Sequence, residues 1–152
     1  MRPRPINDSD GPMPLSQARP RRVITFGTFD LFHFGHLRIL ERARELGSQL
    51  IVGVSSDALN QRKKGRLPYA NQTERLAIVG ALRCVDEVFV EEALELKGHY
   101  IRQFSADVLV MGDDWAGRFD EFKALCEVCY LPRTPEISTT SLIERVRFRA
   151  VG

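Results

Sequence analysis

Beyond residue 22 the chain alternates short apolar runs with amphipathic stretches. The run VITFG (23–27) is closed by a glycine and reads as a buried strand. HLRILERARELG (36–47) sets Leu37, Leu40, Ala43 and Leu46 on one face at helical spacing, with Gly47 as a C-terminal stop. LIVGVS (50–55) is a second strand. NQTERLAIVGALR (71–83) opens on Asn71 with Glu74 three residues on, a capped helix. DEVFV (86–90) is a third strand, followed by a helical stretch near 93–104. DVLVM (107–111) is a fourth strand, a short helix follows near 119–125, EVCYL (127–131) is the fifth strand, and TTSLIERVRFR (139–149) closes as a helix. Short strands apolar on both faces, alternating with helices, predict an α/β fold: a Rossmann-like, doubly wound, five-stranded parallel sheet with helices on both faces. In such sheets ligands sit beyond the carboxyl ends of the strands.

The first 20 residues break this pattern. They hold five of the eight prolines and show no hydrophobic period, so residues 1–21 are expected to form a disordered Pro/Arg-rich extension and 22–152 the folded domain. Charge is distributed the same way. Residues 1–22 carry five arginines and two aspartates, which leaves 23–152 at a net charge of −1. A near-neutral body argues against a nucleic-acid partner. No apolar run approaches the ~20 residues of a membrane helix, and no secretory segment is visible. Three cysteines suit a reducing compartment, and a cytoplasmic protein without a membrane partner is expected. Cys126-x-x-Cys129 lacks a second pair at zinc spacing and runs into a strand, so buried structural thiols are expected over a metal or redox module.

Chemistry concentrates after the first strand, in GTFDLFHFGH (27–36). Glycines at a strand–helix junction let an anion approach the backbone, and the helix N-terminus beyond attracts phosphate. His33 and His36 would share that crevice; taken alone, the pair could equally be polar loop residues or part of a metal site. Arg62, Lys63, Lys64 and Arg66 follow the second strand, either as a solvated loop or as a mobile lid over phosphates. Arg75 reads as structural. Asp113, Asp114 and Trp115 follow the fourth strand and could cap a helix, hold a metal or shape a pocket. Ser141 with Glu144 matches a capping box at the last helix.

The G-T-F-D-x-x-H-x-G-H segment resembles the signature of the small nucleotidyltransferases, the cytidylyltransferase-like superfamily. RTPEISTT (133–140) is similar to a second motif of that family, and MGDDWAGRFD (111–120) with VDEV (85–88) resembles its glycerol-3-phosphate cytidylyltransferase branch. The resemblance covers about residues 22–148. It implies an enzyme that transfers a cytidylyl group from CTP to a small phosphate monoester, glycerol 3-phosphate first among them, with Mg2+ accompanying the nucleotide and pyrophosphate leaving. It implies catalytic roles for His33, His36, Lys63 and Arg133. Nucleotide contacts fall to Thr28, Phe29, Gly35, Arg83, Asp114, Thr134, Ile137, Ser138, Thr139 and Thr140, together with both histidines and Arg133. Contacts to the acceptor substrate fall to Asp30, Lys63, Lys64 and Lys97. No resident metal site and a homodimer are further expectations. The chain departs from the family at Pro135 and Glu136, where Glu-Gly is common, and at Ala93 and Leu94, where an aromatic often precedes Lys97. Rival expectations are another acceptor (phosphoethanolamine or a sugar phosphate), ATP as donor, or a non-catalytic nucleotide-binding module.

Overall fold

The computed structural model describes residues 19–135 and 137–151, with side chains through 149. Five strands, β1 (Arg22–Gly27), β2 (Gln49–Ser55), β3 (Glu87–Glu91), β4 (Val108–Gly112) and β5 (Glu127–Leu131), form one sheet in the order β3-β2-β1-β4-β5. Every pairing is parallel. The helices are α1 (Phe34–Arg44), α2 (Asp57–Lys64), α3 (Gln72–Gly80), α4 (Lys97–Gln103) and α5 (Thr139–Val151), with 3-10 turns at Leu94–Leu96, Asp113–Trp115 and Asp120–Ala124. Among the described residues no helix is long and apolar enough to cross a membrane.

The period of two along each strand sorts the core into two layers. Val23, Leu50, Val52, Val54, Val108 and Val110 meet Leu40 and Ala43 of α1 and Val79 of α3 on one face. Ile24, Phe26, Ile51, Leu109 and Met111 meet Tyr100 and Ile101 of α4 on the other, with Phe119 and Phe122 beside them. Both faces are therefore covered, which is why the strands carry continuous apolar runs. Gly53 leaves room in β2 for the edge-to-face pair of Phe26 and Phe89, since a Cβ there would lie 2.6 Å from one ring and 2.7 Å from the other.

The chain order reverses beside β1. From β1 it winds outward through β2 to β3, then returns through α4 to β4 on the other side of β1. Loops after β1 and β4 part at that point and open a crevice.

Several local expectations shift. α1 begins two residues early, because His33 accepts from Gly35 N and serves as the N-cap. The helix ends at Arg44, and Gly47 instead allows a close approach: a Cβ there would lie 2.5 Å from the Arg21 carbonyl. Three of the four basic residues after β2 lie in a helix, and Arg66 follows it. Ser56 caps the start of α2, Gly65 in the left-handed region (φ 71°) ends it, and Arg62, Lys63 and Lys64 form its last turn. At α5 the cap is Ser138: Ser141 N donates to Ser138 Oγ and Ser138 N to Ser141 Oγ, both at 3.0 Å, in place of the expected Ser141–Glu144 box.

Residues 1–18 of the expected extension lie outside the described residues. Its last part is anchored, not disordered. Arg19 pairs with Asp107 and Arg21 with Glu127, and Arg21 Nε donates to the Leu46 carbonyl at 3.1 Å. Cys84, Cys126 and Cys129 are all free. Cys126 packs on one face of the sheet and Cys129 on the other, so the C-x-x-C pair cannot share a ligand. Burial raises the thiol pKa of Cys84 and of Cys126, as expected of structural thiols.

Candidate active site

A cleft of about 590 Å³ lies across the carboxyl ends of the strands. The loop after β1 supplies Thr28, Phe29, Asp30 and His33 to its wall, and the first turn of α1 supplies Gly35 and His36. Phe29 and Leu31 sit at positive φ (55° and 47°), and this tight turn buries the Phe29 ring against Gly27, where a Cβ would lie 2.8 Å from the ring. Asp30 pins the turn to the loop after α2: its carboxylate accepts from Tyr69 N at 2.8 Å, Ala70 N at 2.9 Å and Leu31 N at 3.0 Å. It lines the cleft with both oxygens engaged on backbone amides.

The two histidines stack, ring centroids 3.8 Å apart and 22° from parallel. Helix capping orients them. His33 Nδ1 accepts from Gly35 N at 3.1 Å, and His36 Nδ1 accepts from His33 N at 3.2 Å. With both Nδ1 atoms accepting, the neutral rings carry their protons on Nε2. An independent contact agrees for His33. Thr139 Oγ1 donates to the Asp30 carbonyl at 3.2 Å and lies 3.4 Å from His33 Nε2, where it can accept that proton. Burial lowers the pKa of His33; for His36, burial first and then the His33 charge lower it to about 4. The pair is thus neutral near pH 7, presenting N–H donors. Gly35 is required by this packing, because a Cβ would lie 2.9 Å from the His33 ring.

Among the described residues, five cations line the cleft (Lys63, Lys64, Arg66, Lys97 and Arg133) against three carboxylates (Asp30, Glu91 and Asp114). Lys63 is half-buried, and its Nζ donates to Ser55 Oγ at 3.3 Å, whereas Lys64 is exposed at the rim. Desolvation lowers the Lys63 pKa, opposed by the nearby Glu91 carboxylate. Lys97, on the surface by sequence, is 3% exposed and pairs with Glu91, itself 1% exposed. The 3-10 turn ahead of α4 directs it inward over the Phe26 ring. Arg133 reaches across to Asp114 at 3.3 Å, both side chains more than a third exposed. Asp113 does not line the cleft; Asp114 and Trp115 do. Thr134, Ile137, Ser138, Thr139 and Thr140 complete the wall at the N-terminus of α5.

All of the expected site residues except Arg83 line this cleft. α3 starts at the cleft and runs antiparallel to the strands, ending at Gly80. Arg83, three residues further and four before β3, is therefore exposed at the opposite edge of the sheet. Arg75 is structural, as its sequence position suggested. It is 1% exposed and donates to the carbonyls of Thr28, Ser55 and Ala70 and to Asp57. Sequence reasoning missed Ser55, Asn60 and Glu91. Asn60 Nδ2 donates to the Ser56 carbonyl at 3.0 Å and its Oδ1 accepts from Thr28 Oγ1 at 2.9 Å, holding the first wall against α2. The available signal was positional: Ser55 and Glu91 are the last residues of their strands, where such sheets bind ligands.

Stacked imidazole donors, five cations and two helix N-termini (α1 and α5) suit an anion bearing several phosphates. The comparisons agree with that chemistry. A family model described as "Cytidylyltransferase-like" matches residues 24–145. A glycerol-3-phosphate cytidylyltransferase of Bacillus subtilis (strain 168) is 48% identical over 126 residues, covering 83% of this chain and 97% of that protein. The enzyme of the same name from Staphylococcus aureus (strain NCTC 8325 / PS 47) is 46% identical, covering 80% and 92%. An FAD synthase of Thermococcus sibiricus (strain DSM 12597 / MM 739) is 35% identical, covering 66% and 68%. In fold, the chain matches the crystal structure of a lipopolysaccharide core biosynthesis protein from Thermoplasma volcanium GSS1 with a TM-score of 0.65 at 21% identity, over 76% of this chain and 99% of that one. The family match across residues 24–145, with the two cytidylyltransferases covered almost end to end, makes this chain a member of the cytidylyltransferase-like family of nucleotidyltransferases.

Proposed function

We propose that this enzyme transfers the cytidylyl group of CTP to glycerol 3-phosphate, giving CDP-glycerol and pyrophosphate. A phosphate oxygen of the acceptor attacks the α-phosphorus of CTP, forming the new P–O–P bond. The bond from Pα to the β-phosphate oxygen breaks, and pyrophosphate leaves with its electron pair. The attacking phosphate is already anionic, so the step asks for charge neutralisation and alignment and not for a nucleophilic side chain.

The observation that carries the reading is the stacked histidine pair with both Nδ1 atoms capped by backbone amides. Their Nε2–H donors, that of His33 exchanging its bond to Thr139 Oγ1 for one to phosphate, serve the oxygens of the α-phosphate and the departing pyrophosphate, where charge builds in the transition state. Thr28, Phe29, Gly35, Thr134 and the Ile137–Thr140 wall accommodate the nucleotide, and Arg133 grips its phosphates. Lys63 and Lys97, with Lys64 at the rim, receive the acceptor phosphate; Asp30 keeps the turn and the 65–70 loop in register around both substrates. Among the described residues no group of three or more His, Cys, Asp or Glu gathers as a metal site. Magnesium belongs with the triphosphate, whose charge it neutralises. The exposed Asp114 carboxylate is the cleft acid suited to its hydration shell, since both Asp30 oxygens accept from backbone amides and Glu91 is held by the buried Lys97. Family resemblance also supports a homodimer. Phe34, 57% exposed just after His33, is an apolar side chain such an interface would cover, and sedimentation as a monomer at micromolar concentration would refute it.

The test is pyrophosphate release with CTP or ATP, magnesium and a panel of phosphate monoesters headed by glycerol 3-phosphate. Release is expected to require CTP and glycerol 3-phosphate together, and to fall about 10²–10³-fold in His36→Ala. Release with ATP or with another monoester instead would reassign the substrates. No release from any pair, with nucleotide still bound, would leave a binding module.

A further inference from the structure

The ends of β2 and β3 carry a charge network whose hydroxyl and carboxylate, Ser55 and Glu91, have no part in the transfer step described above. Ser55 and Glu91 are register partners at the last pair of these strands. Ser55 Oγ donates to Glu91 Oε1 at 3.3 Å and accepts from Lys63 Nζ at 3.3 Å. The other carboxylate oxygen holds the Lys97 ammonium, which also lies 4.5 Å from the Phe26 ring centre and 5.5 Å from that of Phe119. Two lysines from separate helices, α2 and α4, are thereby tied to one carboxylate. Each ammonium has three donors, and these contacts use one on each.

Stability alone does not explain the arrangement. A buried ion pair gains little over a well-packed apolar pair, because desolvation offsets the attraction. A lysine head on a flexible four-carbon stem is otherwise poorly fixed, and orientation is what a phosphate nucleophile needs. We infer that Glu91 is a positioning residue for the acceptor site: it fixes Lys97 directly and Lys63 through the Ser55 hydroxyl, so that two ammonium groups meet the acceptor phosphate from set points. This rests on the reading that Lys63 and Lys97 bind that phosphate. Simple charge balance makes the opposite prediction. If Glu91 merely offset positive charge, removing it would tighten phosphate binding.

The experiment measures KM for glycerol 3-phosphate and for CTP, with kcat, in Glu91→Gln, Ser55→Ala and Lys97→Met, checking each fold by thermal melting. Glu91→Gln is expected to raise the acceptor KM ~10–100-fold, the scale of a lost charge-assisted hydrogen bond, with the CTP KM changed less than about twofold. Ser55→Ala, which keeps the ion pair, should raise the acceptor KM by roughly 3–10-fold. An unchanged or lowered acceptor KM in folded Glu91→Gln, or equal rises in both KM values, overturns the proposal. Should Glu91→Gln fail to fold, an unchanged acceptor KM in Ser55→Ala overturns it. Lys97→Met separates the two levels. If it raises the acceptor KM while Glu91→Gln does not, only the positioning role falls; if it leaves that KM unchanged, the acceptor assignment falls too.

Discussion

His33 and His36 show how a backbone motif becomes a chemical device. The three-residue spacing that makes a helix capping box is also the spacing that stacks two imidazoles, so one local geometry sets position and tautomer together. Its cost appears in acid. With the folded pKa of His36 lowered to about 4, chiefly by burial, the unfolded chain binds a proton near pH 6.5 that the folded one refuses. The contribution to stability is complete above about pH 6.5 and is lost as pH falls toward 4. Urea unfolding should therefore show wild-type stability falling about 2 kcal/mol more between pH 7 and 4.5 than that of His36→Gln. Parallel slopes for the two proteins would refute the shift. The histidines were readable from sequence because their partners, Gly35 N and His33 N, lie within three residues. Glu91 and Ser55 were not: their partnership spans 36 residues and exists only through strand register.

At the level of elements, the strands were legible to within a residue, since burial on both faces leaves an unbroken apolar run that ends where the loop becomes polar. Helix ends were harder, because short polar caps decide them. Ser56 and Gly65 turn a basic segment with the composition of a loop into α2, and its last turn sends Lys63 inward and leaves Lys64 at the rim. Spacing along the chain does not distinguish the two lysines, whereas the helix places them differently. The 3-10 turn at Leu94–Leu96 does the same for Lys97, aiming a residue with the sequence context of a solvated lysine at a buried carboxylate. Arg83 is the converse case. A helix that starts at the cleft delivers its C-terminal residues to the far edge of the sheet, whatever motif they match.

Across the whole molecule, the cleft is held open by residues that tie its separate walls together. Arg75 is the chief of these, joining the ends of β1 and β2, the first turn of α2 and the loop before α3 through four acceptors. Arg75→Met should cost about 3–5 kcal/mol in urea denaturation, since it strands buried carbonyls and leaves Asp57 without its ion pair. A loss below about 1 kcal/mol would show that water replaces the guanidinium without penalty. The parallel α/β class and the histidine loop were legible from residues near one another in sequence, because periodicity, capping and glycine-dependent turns are local physics, whereas the RTPEISTT segment was legible through its likeness to a family motif. Which cations share the cleft, which face it with a buried counter-charge and which fall outside depended on folding. Those facts follow from strand order and helix direction, and such long-range geometry leaves no trace in the spacing of residues along the chain.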